Sequence, residues 1–422
     1  MSINLRRSIA TVLSMALGSL AVSAIAQTAP NNTVAKSDEL EEVVVTGSLI
    51  KHVASETAEP ITIITAAQLQ ANGFTSVADA LQHSIFATGS VQGPQFSGGF
   101  TQSAQTLSLF GLSPSYVKYL IDGLPMSDYP ALYNGTDTIV SISGIPLSMV
   151  ERIEILPGGQ SSLYGSDAIA GVVHVIMKKK LDGVTVDARY GATRAGGGDE
   201  RMLALSDSWS YNKLNILGGV QFEDRTPIWG FQRGLTSKVF SNGTSAATAG
   251  RDYLIYGKYG SDGYASNNYY FFDPNSCKGL AAEFGGTLQK YHRNNRGDYC
   301  GSLNSGYYTL AESDQESNIY LRGTYELNPK VEVYSDFLGS HEKSGYVSSL
   351  NAYVSSFDTN STYAYFYDPN IDDLVNLQHV ISPEEVGNLK NAFSYTNSDN
   401  LRFTLGVRGN LNDRWDYDLG GT

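Results

Sequence analysis

The sequence predicts an α+β domain followed by an incomplete antiparallel transmembrane β-barrel. Three observations lead to this fold class. Residues 150–180 read as strand, glycine turn, short helix and strand in quick succession. After residue 183, segments of about ten residues alternate apolar with polar or charged side chains, as strands between lipid and water do. The links between these segments are either very short or very long, which is the connection pattern of outer-membrane barrels.

The first residues have the features of an exported protein. Arg6 and Arg7 precede an apolar run, and Ala24 and Ala26 supply the small-x-small pattern of a cleavage site. We therefore expect a signal peptide over residues 1–26, cleaved after Ala26. The apolar run is shorter than the roughly 20 residues that a membrane-spanning helix needs. A membrane role would consequently depend on strands.

Residues 27–59 are predicted to be a flexible segment, because residues 27–40 contain few apolar side chains. The segment contains EEVVVTGS at residues 41–48, an acidic pair followed by three valines, without a partner strand nearby in the sequence. An isolated β-prone stretch on a flexible tether is suited to strand addition at the sheet edge of a partner protein. The same residues fit an ordinary first strand of the folded domain equally well.

Residues 60–180 have the pattern of the α+β domain. Thr65 is expected to cap a helix over residues 66–71, and Gly73 to end it. Either Thr75 or Ser76 opens a second helix. The predicted strands are Ile61 to Ile64, Val117 to Ile121 with a tight turn at Asp122-Gly123, Val150 to Leu156, and Gly171 to Met177.

Three stretches of this domain resemble the plug domain of TonB-dependent outer-membrane receptors, and they occur in the order that the family shows. Residues 60–84 resemble its first signature, and VKYLIDGLPM resembles its I-D-G-apolar-P step. The second signature matches over roughly thirty residues, which is far more specific than a short glycine pattern. Its matching residues are Glu151, Arg152, Ile153, Glu154, Pro157, Gly158, Tyr164, Gly165, Ser166, Gly171 and Val172.

The resemblance implies partners and site residues. It identifies residues 41–48 as the position of the Ton box, the segment gripped by the energy-transducing protein TonB, which works with ExbB and ExbD. The Ton box residues are then Glu41, Glu42, Val43, Val44, Val45, Thr46 and Gly47. Arg152 and Glu154 are interpreted as a buried ion network that holds the plug in its barrel and sets position and release, with little net stabilisation. Asp122, Gly123, Tyr164 and Gly165 are the other signature positions singled out.

The chain departs from the family pattern at two places. The family commonly has an apolar-Arg-Gly sequence ahead of the IDG strand, where this chain has Leu109, Phe110 and Gly111. His174 and Met177 stand where small polar residues are usual. A single histidine on a core strand is more often a packing residue than a ligand, so no metal site is predicted there.

Residues 181–422 are predicted to be the first strands of the barrel. Apolar residues alternate with polar or charged ones in four clear segments, which are residues 184–190, 214–222, 318–327 and 401–408. Tight turns are expected near residues 210–213, 328–329 and 412–413, and long structureless links over residues 225–314 and 343–398. About seven strands can be counted, whereas plugged transporters close with about 22. We therefore expect either a fragment or a truncated gene.

The composition of the chain excludes some functions and suggests one covalent link. The net charge of −13 and the acidic isoelectric point near 4.9 argue against nucleic-acid binding, which needs basic patches. Cys277 and Cys300 both fall in the first long link, and export would expose them to an oxidising compartment, so we predict a disulfide. Its stabilisation would be about 3 kcal/mol on the entropic model. Two free thiols are the alternative.

The leading function is that of an outer-membrane receptor for active import of a scarce, bulky solute, with the plug gated by TonB. The alternative is a truncated, transport-incompetent fragment that only binds TonB through its N-terminal segment. We predict no enzyme activity, no cofactor, no metal site and no catalytic residue, since no nucleophile elbow, phosphate loop or metal-ligand spacing is present. We expect the barrel strands to be surrounded by the lipid of the outer membrane. The solute stays open, because aromatic residues of the long links suit either ligand stacking or an interfacial girdle; these are Tyr269, Tyr270, Phe271, Phe272, Tyr363, Tyr365 and Phe366.

Overall fold

The structure is a computed structural model of the 422-residue chain. It describes residues 61–89, 92–93, 101–236, 308–347, 393–412 and 415–422, with residues 369 and 372. Nine short strands outside these ranges are described by their backbone pairing alone, at residues 44–45, 52–53, 254–258, 269–272, 289–293, 297–301, 352–354, 366–368 and 373–380. Among the described residues, no helix has the length and apolar character needed to cross a bilayer.

The N-terminal domain, defined here as the described residues between 61 and 180, is built on a mixed sheet covered by short helices. Its sheet has the strand order β3-β6-β7-β4-β5, in which β4 and β7 are parallel and the other pairs antiparallel. The elements up to the end of this domain are β1 (Val44–Val45), β2 (His52–Val53), β3 (Thr62–Thr65), α1 (Ala66–Ala71), α2 (Val77–Gln82), β4 (Val117–Ile121), β5 (Leu124–Pro125), β6 (Val150–Pro157), α3 (Ser161–Tyr164) and β7 (Gly171–Met177). The α+β prediction for this part of the chain is confirmed.

The helix boundaries follow from their caps. The Thr65 hydroxyl accepts a hydrogen bond from the Gln68 N–H at 3.3 Å, and the Gln68 side chain accepts one from the Thr65 N–H at 2.9 Å. This capping box satisfies two N–H groups at the start of α1, and the predicted cap at Thr65 is confirmed. Of the two candidate caps of α2, Thr75 and Ser76, the cap is Ser76, whose hydroxyl accepts a hydrogen bond from the Asp79 N–H at 3.1 Å.

The core lies on both faces of the sheet. All seven residues of β7 are buried, and Ile153 and Ile155 of β6 are 0% exposed. A second small cluster, around Leu120 and Val172, closes the opposite face. A strand that is covered on both faces reads as a continuous apolar run, which explains GVVHVIM in the sequence.

Val44 and Val45 do not stand alone, and the expectation of no partner strand nearby is wrong. They pair antiparallel with His52 and Val53 in a two-residue ladder. A ladder this short contributes little stability of its own, because isolated hairpins are at best marginally stable in water.

The wall sheet consists of seven antiparallel strands in the order β23-β22-β18-β17-β10-β9-β8. These strands are β8 (Thr185–Gly191), β9 (Glu200–Tyr211), β10 (Leu214–Arg225), β17 (Ser313–Asn328), β18 (Val331–Tyr346), β22 (Ser394–Asn412) and β23 (Trp415–Gly421). The expected tight turns join β9 to β10 and β17 to β18. The strand number and the open antiparallel sheet of the prediction are confirmed for the described residues.

Alternation along the wall strands separates two faces. On one face apolar side chains are exposed, among them Leu321, Leu401 and Phe403. On the other face polar side chains such as Arg322 and Thr404 are buried against the N-terminal domain. This is the period-two pattern that the sequence predicts for a strand with lipid on one side and a polar interior on the other.

The two long links are not structureless, so that expectation is wrong. They contain further paired strands: β11 (Ile228–Trp229), β12 (Leu254–Lys258), β13 (Tyr269–Phe272), β14 (Gln289–Arg293), β15 (Gly297–Gly301), β16 (Thr309–Ala311), β19 (Ala352–Val354), β20 (Phe366–Asp368) and β21 (Asp373–Val380). β12 of the first link pairs antiparallel with β21 of the second, so the two links share one sheet. The sequence pattern missed the shared sheet because β12 and β21 lie more than 100 residues apart in the chain.

Candidate functional site

The site begins with the tight turn between β4 and β5. Asp122 and Gly123 both have positive φ, +47° and +86°. Glycine adopts this conformation without cost, and aspartate is one of the few other residues that tolerate it. The Asp122 N–H donates to the Val175 carbonyl at 3.0 Å, and its Oδ1 accepts from the Met177 N–H at 3.1 Å. The turn is thereby fixed to the end of β7.

The second carboxylate oxygen of Asp122 reaches the wall. Its Oδ2 lies 2.7 Å from Arg322 Nη1 on β17, and the Arg322 side chain is only 3% exposed. Arg322 also lies 3.5 Å from Asp336 on β18, whose Oδ1 accepts from the Tyr320 hydroxyl at 3.1 Å. A buried arginine thus shares its charge between one carboxylate of the N-terminal domain and one of the wall.

A second arginine holds the same turn. Arg402 Nη2 on β22 donates to the carbonyl oxygens of Ile121 and Leu124, at 3.4 and 3.3 Å. We call Asp122, Gly123, Arg322 and Arg402 the turn clamp. It fixes the turn by one ion pair and two backbone contacts, all of them polar.

His174 supports the turn from inside the N-terminal domain. Its Nε2 accepts a hydrogen bond from the Gly123 N–H at 2.7 Å, and its Nδ1 lies 3.9 Å from the Glu154 carboxylate. Burial lowers the pKa of His174 below its ordinary value, although Glu154 and Asp122 oppose this shift. A neutral ring with its proton on Nδ1 is the form that accepts at Nε2.

Arg152 and Glu154 form an ion pair beside this histidine. Arg152 Nε donates to Glu154 Oε1 at 2.8 Å, and its Nη1 lies 2.6 Å from Glu151. Glu154 is fully buried. In the described contacts Arg152 bonds within its own domain, whereas Asp122 makes the ion pair with the wall. That Arg152 and Glu154 form the ion network that holds the plug in its barrel stays a prediction.

The seam is defined here as the contact between the wall sheet and the N-terminal domain. Further along it, side chains of the wall bind backbone groups of the domain. The Gly144 N–H donates to Glu316 Oε1 at 2.6 Å, and the Ser148 N–H donates to Gln221 Oε1 at 3.2 Å. Arg189 donates to the Phe74 carbonyl. Gly144, with φ of +83°, leaves no room for a Cβ beside Ser340 of β18, so the two elements approach closely there. The seam also has an apolar part, where Leu217, Tyr320 and Leu338 of the wall join the core of the domain.

A cavity of about 1080 Å³ opens beside the turn clamp. Asp122, Arg152 and His174 line it from the N-terminal domain, and Arg322 and Arg408 line it from the wall. Its lining carries charges of both signs. The clamp therefore lies at the edge of a cavity with charged groups in its wall.

The remaining predicted positions are placed as follows. Tyr164 packs against the second core cluster, and burial raises its pKa. Gly165, with φ of +95°, ends α3. Phe110 has φ of +56° and lies edge-on to Phe86 at 5.9 Å between ring centroids, where the family commonly has arginine.

Part of the predicted site lies outside the described residues. Only the backbone pairing of Val44 and Val45 is described within the expected Ton box; Glu41, Glu42, Val43, Thr46 and Gly47 lie outside it. Cys277 also lies outside, and of Cys300 only its place in β15 is described. The disulfide therefore stays a prediction.

Sequence reasoning missed the two arginines of the clamp as site residues. It placed Arg322 and Arg402 on the polar faces of their strands, which is where they lie. Nothing in a single sequence indicates that Arg322 faces Asp122, because the two are 200 residues apart.

Comparison with known proteins gives one family match and several partial structural matches. The family model described as the TonB-dependent receptor plug domain matches residues 53–172. A double mutant of the ferric enterobactin receptor from Pseudomonas aeruginosa is 15% identical, with a TM-score of 0.47, covering 90% of this chain and 41% of that one. The siderophore receptor PirA from Pseudomonas aeruginosa is 13% identical, with a TM-score of 0.37, covering 86% of this chain and 49% of that one. The siderophore receptor PiuA from Acinetobacter baumannii is 12% identical, with a TM-score of 0.37, covering 86% and 45%.

The chain thus spans less than half the length of these three solved structures. The matched residues 53–172 contain the turn Asp122-Gly123, the Arg152–Glu154 pair and the first two residues of β7. The N-terminal domain is therefore a plug domain of the kind found in TonB-dependent receptors.

Proposed function

We propose that this protein acts in the active import of a scarce, bulky solute across the outer membrane. In this proposal the plug domain blocks the path along the wall, and TonB, bound to residues 41–47, displaces it. Receptors of this family are transporters and not enzymes. ExbB and ExbD would supply the energy to TonB, and the solute is one that the long links capture.

The observation that carries the proposal is the polar character of the seam. Asp122 pairs with Arg322 at 2.7 Å, and several other contacts join wall side chains to plug backbone groups. When such contacts open, water replaces the lost hydrogen bonds, so the net cost of each is only about 0.5–3 kcal/mol. A mechanical pull on the N-terminal segment can therefore break them one after another without unfolding the wall.

The outer face of the wall sheet supports a membrane location. Leu401 is 76% exposed and Phe403 is 59% exposed, on the face opposite the plug. Exposed apolar side chains on every second residue would be unfavourable in water and are favourable against lipid. Trp209 and Tyr211, stacked at 5.7 Å beside a tight turn, suit the boundary between lipid and water.

The expected chain organisation completes the proposal. Export would use the signal peptide over residues 1–26, with cleavage after Ala26. Residues 27–59 would form the periplasmic segment, residues 60–180 the plug, and residues 181–422 barrel strands. The short β1–β2 ladder would open when TonB adds its own strand to residues 44–45, because two paired residues offer little resistance.

Site-specific photocrosslinking in living cells tests this function. A photoreactive residue replaces Val44, and a matched control replaces Asn212 in the tight turn between β9 and β10. We expect an adduct with TonB at position 44 and none at position 212, because only the first lies in the segment that TonB would grip. The absence of an adduct at position 44, in cells where the protein is present in the outer membrane, would contradict the proposal.

A further inference from the structure

His174 is a buried titratable group in the core of the plug domain. It is 3% exposed and lies at the centre of β7, a strand whose other residues are apolar. An apolar residue would suit the core better, because a polar ring in a core costs free energy unless it is hydrogen-bonded. Its partner is the Gly123 N–H, which lies in the turn that the wall grips.

The turn Asp122-Gly123 is thus held from two sides. Arg322 and Arg402 hold it from the wall, and His174 holds it from the plug core. Gly123 depends on this support, because its N–H donates a hydrogen bond to Nε2 of His174 at 2.7 Å. A hydrogen bond of that length requires an unprotonated Nε2.

The charges around His174 come from each element packed against it. Glu154 and Arg152 lie on β6, Asp122 lies in the turn after β4, and Lys179 follows β7. The carboxylates attract a proton, and the cations and the burial oppose it. The ring also lines the cavity beside the clamp, which gives protons a route to it.

We propose that His174 is the positioning residue of the plug turn, and that its protonation releases Asp122-Gly123 from the geometry in which Arg322 holds it. A protonated ring carries N–H groups at both nitrogens, so Nε2 then faces the Gly123 N–H as a second donor. The hydrogen bond is lost and the two donors repel. The turn moves, and Asp122 moves with it. This inference deepens the proposed function, since it makes the seam of the plug sensitive to acid.

The direction of the pH dependence follows from linkage. Burial lowers the pKa of His174 in the closed turn, and release would return the ring towards its ordinary value of about 6.5. The closed turn therefore binds fewer protons than the released turn in the interval between these two values. Above about pH 6.5 the closed turn keeps its full stability relative to the released turn. It loses this stability as the pH falls below that value.

Hydrogen exchange at the Gly123 amide tests the inference directly. The full chain is purified in detergent micelles, and exchange of the Gly123 amide is followed by mass spectrometry from about pH 7.5 to about pH 5, corrected for intrinsic exchange. In the wild type we expect the protection of this amide to fall about fivefold to tenfold over the interval, which corresponds to the loss of one hydrogen bond. The Gln160 N–H, bonded to the Ala168 carbonyl at 2.9 Å and away from the turn, is the internal reference and should change little.

Three variants separate positioning from packing. His174→Gln keeps an acceptor for the Gly123 N–H but cannot be protonated, so its protection should be high and independent of pH. His174→Phe removes the acceptor, so protection should be low at every pH. His83→Gln changes a histidine on the plug surface, 68% exposed at its side chain, and should behave like the wild type.

Protection at Gly123 that stays constant with pH in the wild type, or that falls in His174→Gln as it does in the wild type, would overturn the inference. If His174→Phe does not fold, the comparison of wild type with His174→Gln still decides. None of these measurements requires TonB or transport. A failure here is therefore distinguishable from a failure of the proposed function, which the crosslinking at Val44 tests.

Discussion

Replacing Asp122 by asparagine separates the charge of the turn clamp from its shape. Asparagine tolerates the φ of +47° at this position, so the turn itself is not strained. Its side-chain oxygen can still accept from the Met177 N–H, as Asp122 Oδ1 does at 3.1 Å. What Asp122→Asn removes is the negative charge that faces Arg322 Nη1 at 2.7 Å.

The geometry fixes the size of the expected effect. The side chains of Arg322 and Asp122 are 3% and 19% exposed, so solvent screens their pairing little. A hydrogen bond between charged groups in such a setting contributes about 1.5–3 kcal/mol. We therefore expect the opening equilibrium of the turn to rise roughly 10-fold to 150-fold. Arg322 keeps Asp336 at 3.5 Å, which prevents a larger loss from an unpaired buried cation.

A double-mutant cycle measures this contribution. Asp122→Asn, Arg322→Gln and the double variant are compared by native-state hydrogen exchange of residues 117–127 near neutral pH. The coupling between the two changes isolates the pair from the other contacts of Arg322. Asp167→Asn is the matched control, because its ion pair with Lys118 at 2.9 Å is half exposed and should contribute at most about 1 kcal/mol. A coupling below about 0.5 kcal/mol would refute the assignment of Asp122–Arg322 as the clamp.

Two further substitutions test the wall and the core. Phe403→Arg, in the middle of the outward face of β22, should destabilise insertion into lipid vesicles by about 2–4 kcal/mol. Leu411→Arg, near the tight-turn end of the same strand, is the control and should cost at most about 1 kcal/mol. Equal effects of the two substitutions would contradict the membrane assignment. Gly171→Ala should cost at least about 2 kcal/mol in thermal or chemical unfolding, because φ is +151° and the new Cβ would lie 2.5 Å from the Leu156 carbonyl oxygen. Gly159→Ala, with open space around it, is its control, and equal melting temperatures would contradict the packing argument.

Local structure was predictable wherever a local interaction decides it. Thr65 caps α1 as its residue type and position predict, and the turn at Asp122-Gly123 has the positive φ values that its residue types favour. The two faces of β17 also follow from alternation, which needs no knowledge of the partner strand. These features depend on residues within a few positions of one another.

Contacts between distant residues were not predictable. Arg322 and Asp122 meet across 200 positions, and the pattern of β17 says only that Arg322 faces inward. The strands of the long links are too short for periodicity to detect. His174 was expected to be a satisfied packing residue, and its hydrogen bond to Gly123 depends on β4 and β7 lying side by side in parallel.

The shared sheet of the two long links has a consequence for the order in which the chain folds. Each neighbouring pair of wall strands joined by a tight turn can form early, because little chain entropy is lost in closing a short loop. β12 and β21 cannot pair until β17 and β18, which lie between them in the sequence, have been synthesised and placed. Pairing across so long a separation is slow. The sheet that unites the links therefore assembles after the hairpins β9–β10 and β17–β18, and a folding intermediate with these hairpins formed and the links unpaired should precede the native protein.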